Sequence, residues 1–119
     1  MLDKLLKISI LFDFYGALLT EKQQRCLEMH FLHDLSLSEI ADQFSVSRQA
    51  IYDIIHRAEQ VLTSYEEKLK LVERYQQEQH EIKAIYDVIE HLPENSSERA
   101  DIKAVLIKLS KLIGKIEEV

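Results

Sequence analysis

Apolar residues recur along most of this chain at alternating spacings of three and four, which places them on one face of a helix. The first such segment predicts a helix between residues 5 and 19, with the inward positions Leu5, Ile8, Phe12, Tyr15 and Leu19. Because the 119 residues include only 2 Gly and 1 Pro, few positions interrupt this pattern. The sequence therefore predicts an all-α protein.

Two capping boxes mark the starts of the second and third helices. Thr20 precedes Gln23 by three residues, and Ser36 precedes Glu39 by three, so each pair can satisfy two free backbone N–H groups. The first box predicts a helix that extends to about His33. The second predicts a shorter helix.

A helix-turn-helix unit is predicted from about Leu37 to Ala58. Ala41 is the small residue required where the two helices approach closely, and Ser45 lies in the turn, where many such proteins have Gly. Ser47 is expected to cap the second helix. The inward apolar positions are Ile40, Phe44, Val46, Ile51 and Ile54.

Beyond residue 62 the pattern predicts a helical arm. An unbroken helix of more than forty residues is unusual, so we expect a bend at Thr63–Ser64 and another near residues 72–75. The sequence Pro93-Glu94-Asn95-Ser96 predicts a turn before the last helix, which should extend from about 97 to 116.

The arm carries more apolar surface than two helices can bury against each other. Its stripes are Ile82, Ile85, Ile89 and Leu92 in one helix, and Ile102, Val105, Leu109, Leu112 and Ile116 in the other. We expect residues 1–62 to form a head and residues 63–119 to join two chains in a homodimer. An arm folded back on the first helix of its own head is the alternative.

The composition indicates the cellular compartment in which the protein is expected. A single cysteine, Cys26, cannot form an internal disulfide, and no secretory leader is recognised, so we expect a cytoplasmic protein. Charged residues interrupt the apolar opening segment, so no membrane anchor is expected. The net charge of −6 opposes nonspecific attraction to nucleic acid.

The outer face of the second helix of the unit carries side chains suited to DNA. Arginine and glutamine can hydrogen-bond base edges, while serine, tyrosine and protonated histidine can hold phosphates. The candidate contacts are Ser47, Arg48, Gln49, Tyr52, His56 and Arg57. From residue 36 to residue 62, however, two basic residues stand against four acidic ones, so the basic stripe of a tight DNA binder is missing.

Few residues of the sequence suggest a metal site or a catalytic site. Cys26, His30 and His33 are spaced four and three apart and could share a face, but a zinc site needs another ligand and Cys26 lies at an inward position. We expect no metal and no cofactor. No phosphate-binding loop or nucleophile motif is present in the sequence, so we do not expect an enzyme.

Residues 23–62, QQRCLEMHFLHDLSLSEIADQFSVSRQAIYDIIHRAEQVL, resemble the promoter-reading helix-turn-helix domain of bacterial sigma factors. With the long arm that follows, the whole chain resembles the YlxM-type family of small bacterial helix-turn-helix proteins. That resemblance implies a cytoplasmic, nonenzymatic regulator. It also implies a link to the signal recognition particle pathway, since the family's gene lies beside that of the particle's protein subunit.

Two functions remain open at this point. The first is a regulator that places the helix from Ser47 to about Leu62 in the major groove of DNA. The second is a protein-interaction module that docks on a component of the protein-targeting machinery. Its acidic balance would then favour a basic partner.

Overall fold

A computed structural model describes residues 2–92 and 99–117, with side chains at 3–92 and 100–113. These residues form six α-helices: α1 (Leu2–Tyr15), α2 (Glu21–Leu27), α3 (Leu37–Phe44), α4 (Arg48–Leu69), α5 (Leu71–Glu90) and α6 (Arg99–Glu117). A short 3₁₀ turn follows α1, and a π-helical turn follows α2. The predicted all-α class is confirmed for the described residues, and the chain divides into two compact units after Val72.

Both predicted capping boxes are present. The Thr20 hydroxyl accepts from the Gln23 amide at 3.2 Å, and the Gln23 side chain accepts from the Thr20 amide at 3.1 Å. Ser36 and Glu39 make the same reciprocal pair, both bonds at 3.1 Å. Hydrogen bonds from the backbone and the hydroxyl of Ser36 hold the pKa of Glu39 below its usual value. The cap of α3 is thus strongest when Glu39 is ionised.

The core of the first unit lies between α4 and the helices packed on it, which are α1, α2 and α3. Ile40 and Ala41 of α3 meet Ile51 and Ile55 of α4 in a buried cluster, and Ile40 and Ile51 have no exposed surface. The other predicted inward residues, Phe44, Val46 and Ile54, are partly buried against this cluster. The predicted helix-turn-helix packing is confirmed.

The turn of the unit requires a left-handed residue. Ser45 has φ 56° and ψ 43°, the conformation that glycine adopts most easily. Its neighbour closes the turn, since the Val46 amide donates to the Ala41 carbonyl at 3.1 Å. Serine is tolerated here at a conformational cost of about 1 kcal/mol.

Two sequence expectations differ from the structure. The bend expected at Thr63–Ser64 is wrong, because α4 continues without interruption to Leu69. The helix instead ends at Lys70, which has φ 53°, and α5 begins at Leu71, just before the second expected bend. The expected turn at 93–96 lies outside the described residues.

The π-helical turn Glu28–Leu32 was also not anticipated, although the second helical segment ends near His33 as predicted. The Leu35 amide donates to the Met29 carbonyl, and Asp34 is left-handed with φ 56°. The chain leaves the π-helical turn through these residues and reaches the Ser36 cap of α3 directly.

The second unit leaves part of each predicted apolar stripe exposed. Ile85 of α5 and Leu92, just beyond the end of that helix, are 51% and 44% exposed, and Val105 and Leu112 of α6 are both 42% exposed. The other described members of these stripes, Ile82, Ile89, Ile102 and Leu109, are half-buried. The side chain of Ile116 lies outside the described residues. Within the part of the chain that the structure describes, no helix is long and apolar enough to span a membrane.

Replacing Ala41 by leucine should force α3 and α4 apart, because Ala41 is 4% exposed in their contact. Overpacking of this kind costs about 1–3 kcal/mol, so the melting temperature should fall. Ala17→Leu makes the same change at an exposed position and serves as the control. Equal melting temperatures for the two variants in thermal unfolding would contradict the packing described.

Replacing Ser45 by glycine should stabilise the head by up to about 1 kcal/mol, because glycine adopts the left-handed conformation without a steric penalty. Ser38→Gly provides a matched control, since Ser38 lies exposed within α3, where glycine weakens a helix. The urea concentration at the midpoint of unfolding should therefore rise for Ser45→Gly and fall for Ser38→Gly. A loss of stability in Ser45→Gly would count against the turn geometry.

Candidate nucleic-acid interface

The predicted contact residues lie along one exposed side of the first half of α4. Ser47 caps the helix, and its hydroxyl accepts from the Ala50 amide at 3.0 Å. A serine hydroxyl that accepts one hydrogen bond can still donate its own proton to a phosphate. The others, all exposed in this unit, are Arg48, Gln49, Tyr52, His56 and Arg57.

The start of α4 presents a positive end. The first turn contains no acidic residue, and Arg48 is the first helical residue. The free N–H groups and the helix dipole therefore add to the arginine charge instead of being neutralised by a carboxylate. This end of the helix is suited to phosphate.

Local pairing shapes what the face can read. The Gln49 amide donates to Asp53 at 3.0 Å, which orients Gln49 and leaves its side-chain oxygen free to accept from a base edge. The rings of Tyr52 and His56 stack, with centres 5.8 Å apart and planes 5° from parallel. Among the residues of this face, Asp53 opposes DNA binding, because its negative charge repels phosphate.

Two further cations lie beside the turn of the unit and were missed by the sequence analysis. Lys22 Nζ is 5.8 Å from the centre of the Phe44 ring, and the Arg25 guanidinium carbon is 5.0 Å from it. Both belong to α2, which precedes the segment from residue 36 to residue 62 in which acidic residues outnumber basic ones. One sequence pattern could have identified them. The two cations are spaced three apart on one helix, and an aromatic residue stands at the end of α3.

The residues considered for zinc do not come together. Cys26 is completely buried, and burial raises the pKa of its thiol, which disfavours the thiolate that a metal needs. The His30 ring is engaged with the Leu35 carbonyl at 2.9 Å, and His33 is exposed. Within the described residues, no group of three or more His, Cys, Asp or Glu side chains is placed to hold a metal.

A cleft of about 600 Å³ borders the outer face of α4. Tyr52, Ile55 and His56 form one wall, and Leu5 and Phe31 lie among the residues opposite. At the rim, Lys4 Nζ lies 3.7 Å from a carboxylate oxygen of Glu59. The candidate face therefore has an apolar side as well as its polar positions.

The short capped helix, the left-handed turn and the exposed second helix define a helix-turn-helix protein. Residues 2–106 match the model of the family described as "Putative helix-turn-helix protein, YlxM / p13 like". The chain belongs to this family, as the sequence resemblance predicted.

Two relatives match over nearly their full length, and a third matches over a shorter stretch. The UPF0122 protein YlxM of Bacillus subtilis is 42% identical over 111 residues, covering 93% of this chain and 97% of the relative. A UPF0122 protein of Bacillus cereus (strain AH187) is 43% identical over 115 residues, covering 94% and 99%. One from Shouchella clausii is 55% identical over 76 residues, covering 64% and 70%. Similarity to these proteins therefore extends beyond the helix-turn-helix unit.

Proposed function

We propose that this chain is a cytoplasmic DNA-binding regulatory protein that inserts the first half of α4 into the major groove. The observation that carries the proposal is the exposed row of hydrogen-bonding side chains on a helix whose other side is fixed in the core. Ile51, Ile55 and Ala58 bury that other side, so the outer residues keep a constant orientation. A fixed helix with a readable outer face is the arrangement with which such units recognise DNA.

Each contact residue has a role in this proposal. Arg48 and Gln49, at the start of the helix, reach base edges, with Gln49 oriented by Asp53. Tyr52 contacts the phosphate backbone or a thymine methyl group from the middle of the row. Ser47, His56 and Arg57 hold phosphates and so set the position of the helix in the groove.

The acidic balance of the chain sets the strength of binding. Lys22 and Arg25 add two cations beside the turn, where they offset the repulsion from Asp42 and Asp53. With few phosphate contacts, one head should bind weakly and with a shallow salt dependence. Useful affinity then calls for two heads acting together.

Pairing of two chains through the arm, residues 63–119, would supply the second head. Support comes from the exposed apolar residues of the second unit, among them Ile85, Leu92, Val105 and Leu112. A two-fold pair buries the same stripe on both chains. The two recognition helices can then read half-sites about 34 Å apart.

The alternative is a protein-docking role for the same face, with a component of the protein-targeting machinery, such as a part of the signal recognition particle, as the partner. The cleft beside Tyr52 and His56 favours it, because its apolar wall suits a protein side chain better than a phosphate. Affinity capture from lysate, with and without nuclease, separates the two roles. Selective DNA enrichment supports the regulator, and nuclease-resistant recovery of a targeting protein supports docking.

Arg48→Ala and Arg57→Ala should each weaken binding to a duplex selected from a random pool by the wild-type protein. Because Arg57 contacts a phosphate in this proposal, its loss should reduce the slope of log K against log salt by about one unit, whereas the loss of Arg48, a base contact, should weaken binding by about 1–3 kcal/mol. Lys68→Ala removes an exposed positive charge near the far end of α4 and should have little effect. Fluorescence anisotropy across a salt series measures both quantities. Unchanged binding in both arginine variants would contradict the groove model.

Replacing Val105 and Leu112 together by lysine should dissociate the proposed dimer, because the charges would lie in its apolar seam. Ala104→Lys places a charge at a neighbouring exposed position outside the stripe and should leave the dimer intact. Sedimentation equilibrium over a wide concentration range measures the mass. A wild-type mass of one chain throughout would rule out this mode of assembly.

A further inference from the structure

The break between α4 and α5 occurs where the local sequence favours a continuous helix. No Gly or Pro is present between residues 48 and 92, and the residues around Lys70 are strong helix formers. Lys70 nevertheless adopts φ 53° and ψ 33°, a left-handed conformation that a lysine disfavours. Interactions other than local helix propensity must therefore stabilise the break.

Two side chains take the amides that a continuous helix would use internally. The Leu71 amide donates to the Tyr15 hydroxyl at 3.1 Å, and the Val72 amide donates to Glu66 Oε1 at 3.0 Å. In an unbroken helix these amides would donate to the carbonyls of the residues four positions earlier. Tyr15 and Glu66 thus replace two main-chain hydrogen bonds and cap the start of α5.

The two capping groups also hold each other. The Tyr15 hydroxyl donates to Glu66 Oε1 at 2.6 Å, so one carboxylate oxygen accepts from both a phenol and an amide. Burial and the bond to Glu66 raise the pKa of Tyr15, which keeps its hydroxyl protonated and able to donate. The arrangement therefore depends on all its members being present together.

The surroundings fix Tyr15 in this position. Its ring is 1% exposed and stacks on Tyr65, with ring centres 5.9 Å apart and an angle of 18° between planes. Val72 is buried in the same core at 8% exposure. The first turn of α5 is thus anchored to α1 and to the end of α4.

We propose that Tyr15 and Glu66 form the clamp of a two-state joint between α4 and α5. With the clamp closed, α4 ends at Leu69, and Tyr15 and Glu66 cap the first two amides of α5. With the clamp open, Lys70 becomes right-handed and α4 and α5 join into one helix, which the local propensity favours. The joint links the backbone conformation of Lys70 to the state of the Tyr15–Glu66 pair, and it does not depend on DNA binding.

Nuclear magnetic resonance on the full chain tests the proposal with local observables. A residue with positive φ gives a strong contact between its own amide and Hα protons, and the closed joint predicts this at Lys70. The open joint predicts its loss, together with a new contact between Lys68 Hα and the Leu71 amide. Both signals come from the break itself.

The variants are Tyr15→Phe, which removes only the hydroxyl, and Glu66→Ala. Each should reduce the Lys70 signal and produce the Lys68–Leu71 contact. Tyr65→Phe and Glu67→Ala make the same chemical changes at neighbouring positions outside the clamp, and both should resemble the wild type. Adding Lys70→Gly to Tyr15→Phe should remove the Lys68–Leu71 contact again, because glycine adopts the left-handed conformation readily.

The result that would overturn the proposal is a Lys70 that keeps its left-handed signals in both Tyr15→Phe and Glu66→Ala. Unchanged resonances of Ile40 and Ile51 establish that the head is folded in each variant. Should Glu66→Ala unfold, Tyr15→Phe decides alone, with its Lys70→Gly partner as the check. A Lys68–Leu71 contact that persists after Lys70→Gly is added to Tyr15→Phe would also contradict the two-state joint.

Discussion

The close packing of α3 on α4 is the interaction on which the head depends. Ile40 and Ile51 are fully buried there, and Ala41 allows the two backbones to approach. A larger residue at this crossing would change the angle between the helices, and with it the direction of every outer side chain on α4. The left-handed Ser45 is equally important. It lets the chain turn from α3 into α4 within three residues while the two helices stay in contact.

The local signals in the sequence were sufficient for this half of the molecule. Capping boxes at Thr20 and Ser36, the Ser47 cap and the inward apolar residues are all short-range patterns, and the structure confirms each of them. The family assignment is confirmed as well. Such features are predictable because their causes lie within a few residues of their effects. Leu5 is the exception among the predicted inward residues, because it is 37% exposed near the start of α1.

The joint after α4 could not be predicted in this way. Propensity pointed to Thr63–Ser64, yet the helix passes through that pair and breaks at Lys70. The next amide, that of Leu71, donates to the hydroxyl of Tyr15, which lies 56 residues earlier in the sequence. The cations over Phe44 were missed for the same reason, since Lys22 and Arg25 reach that ring only through the packing of separate helices. Tertiary contacts decided both features, and a single sequence does not encode them as a readable pattern.

The uninterrupted course of α4 has a mechanical consequence. Its 22 residues make a rod about 33 Å long, and Ile51, Ile55, Ala58 and Leu62 bury one side of that rod along most of its length. Arg48 at one end and Glu66 near the other therefore lie about 27 Å apart on a single rigid element. The helix acts as a ruler that keeps the exposed face at its start at a fixed distance from the carboxylate that caps Leu71 and Val72.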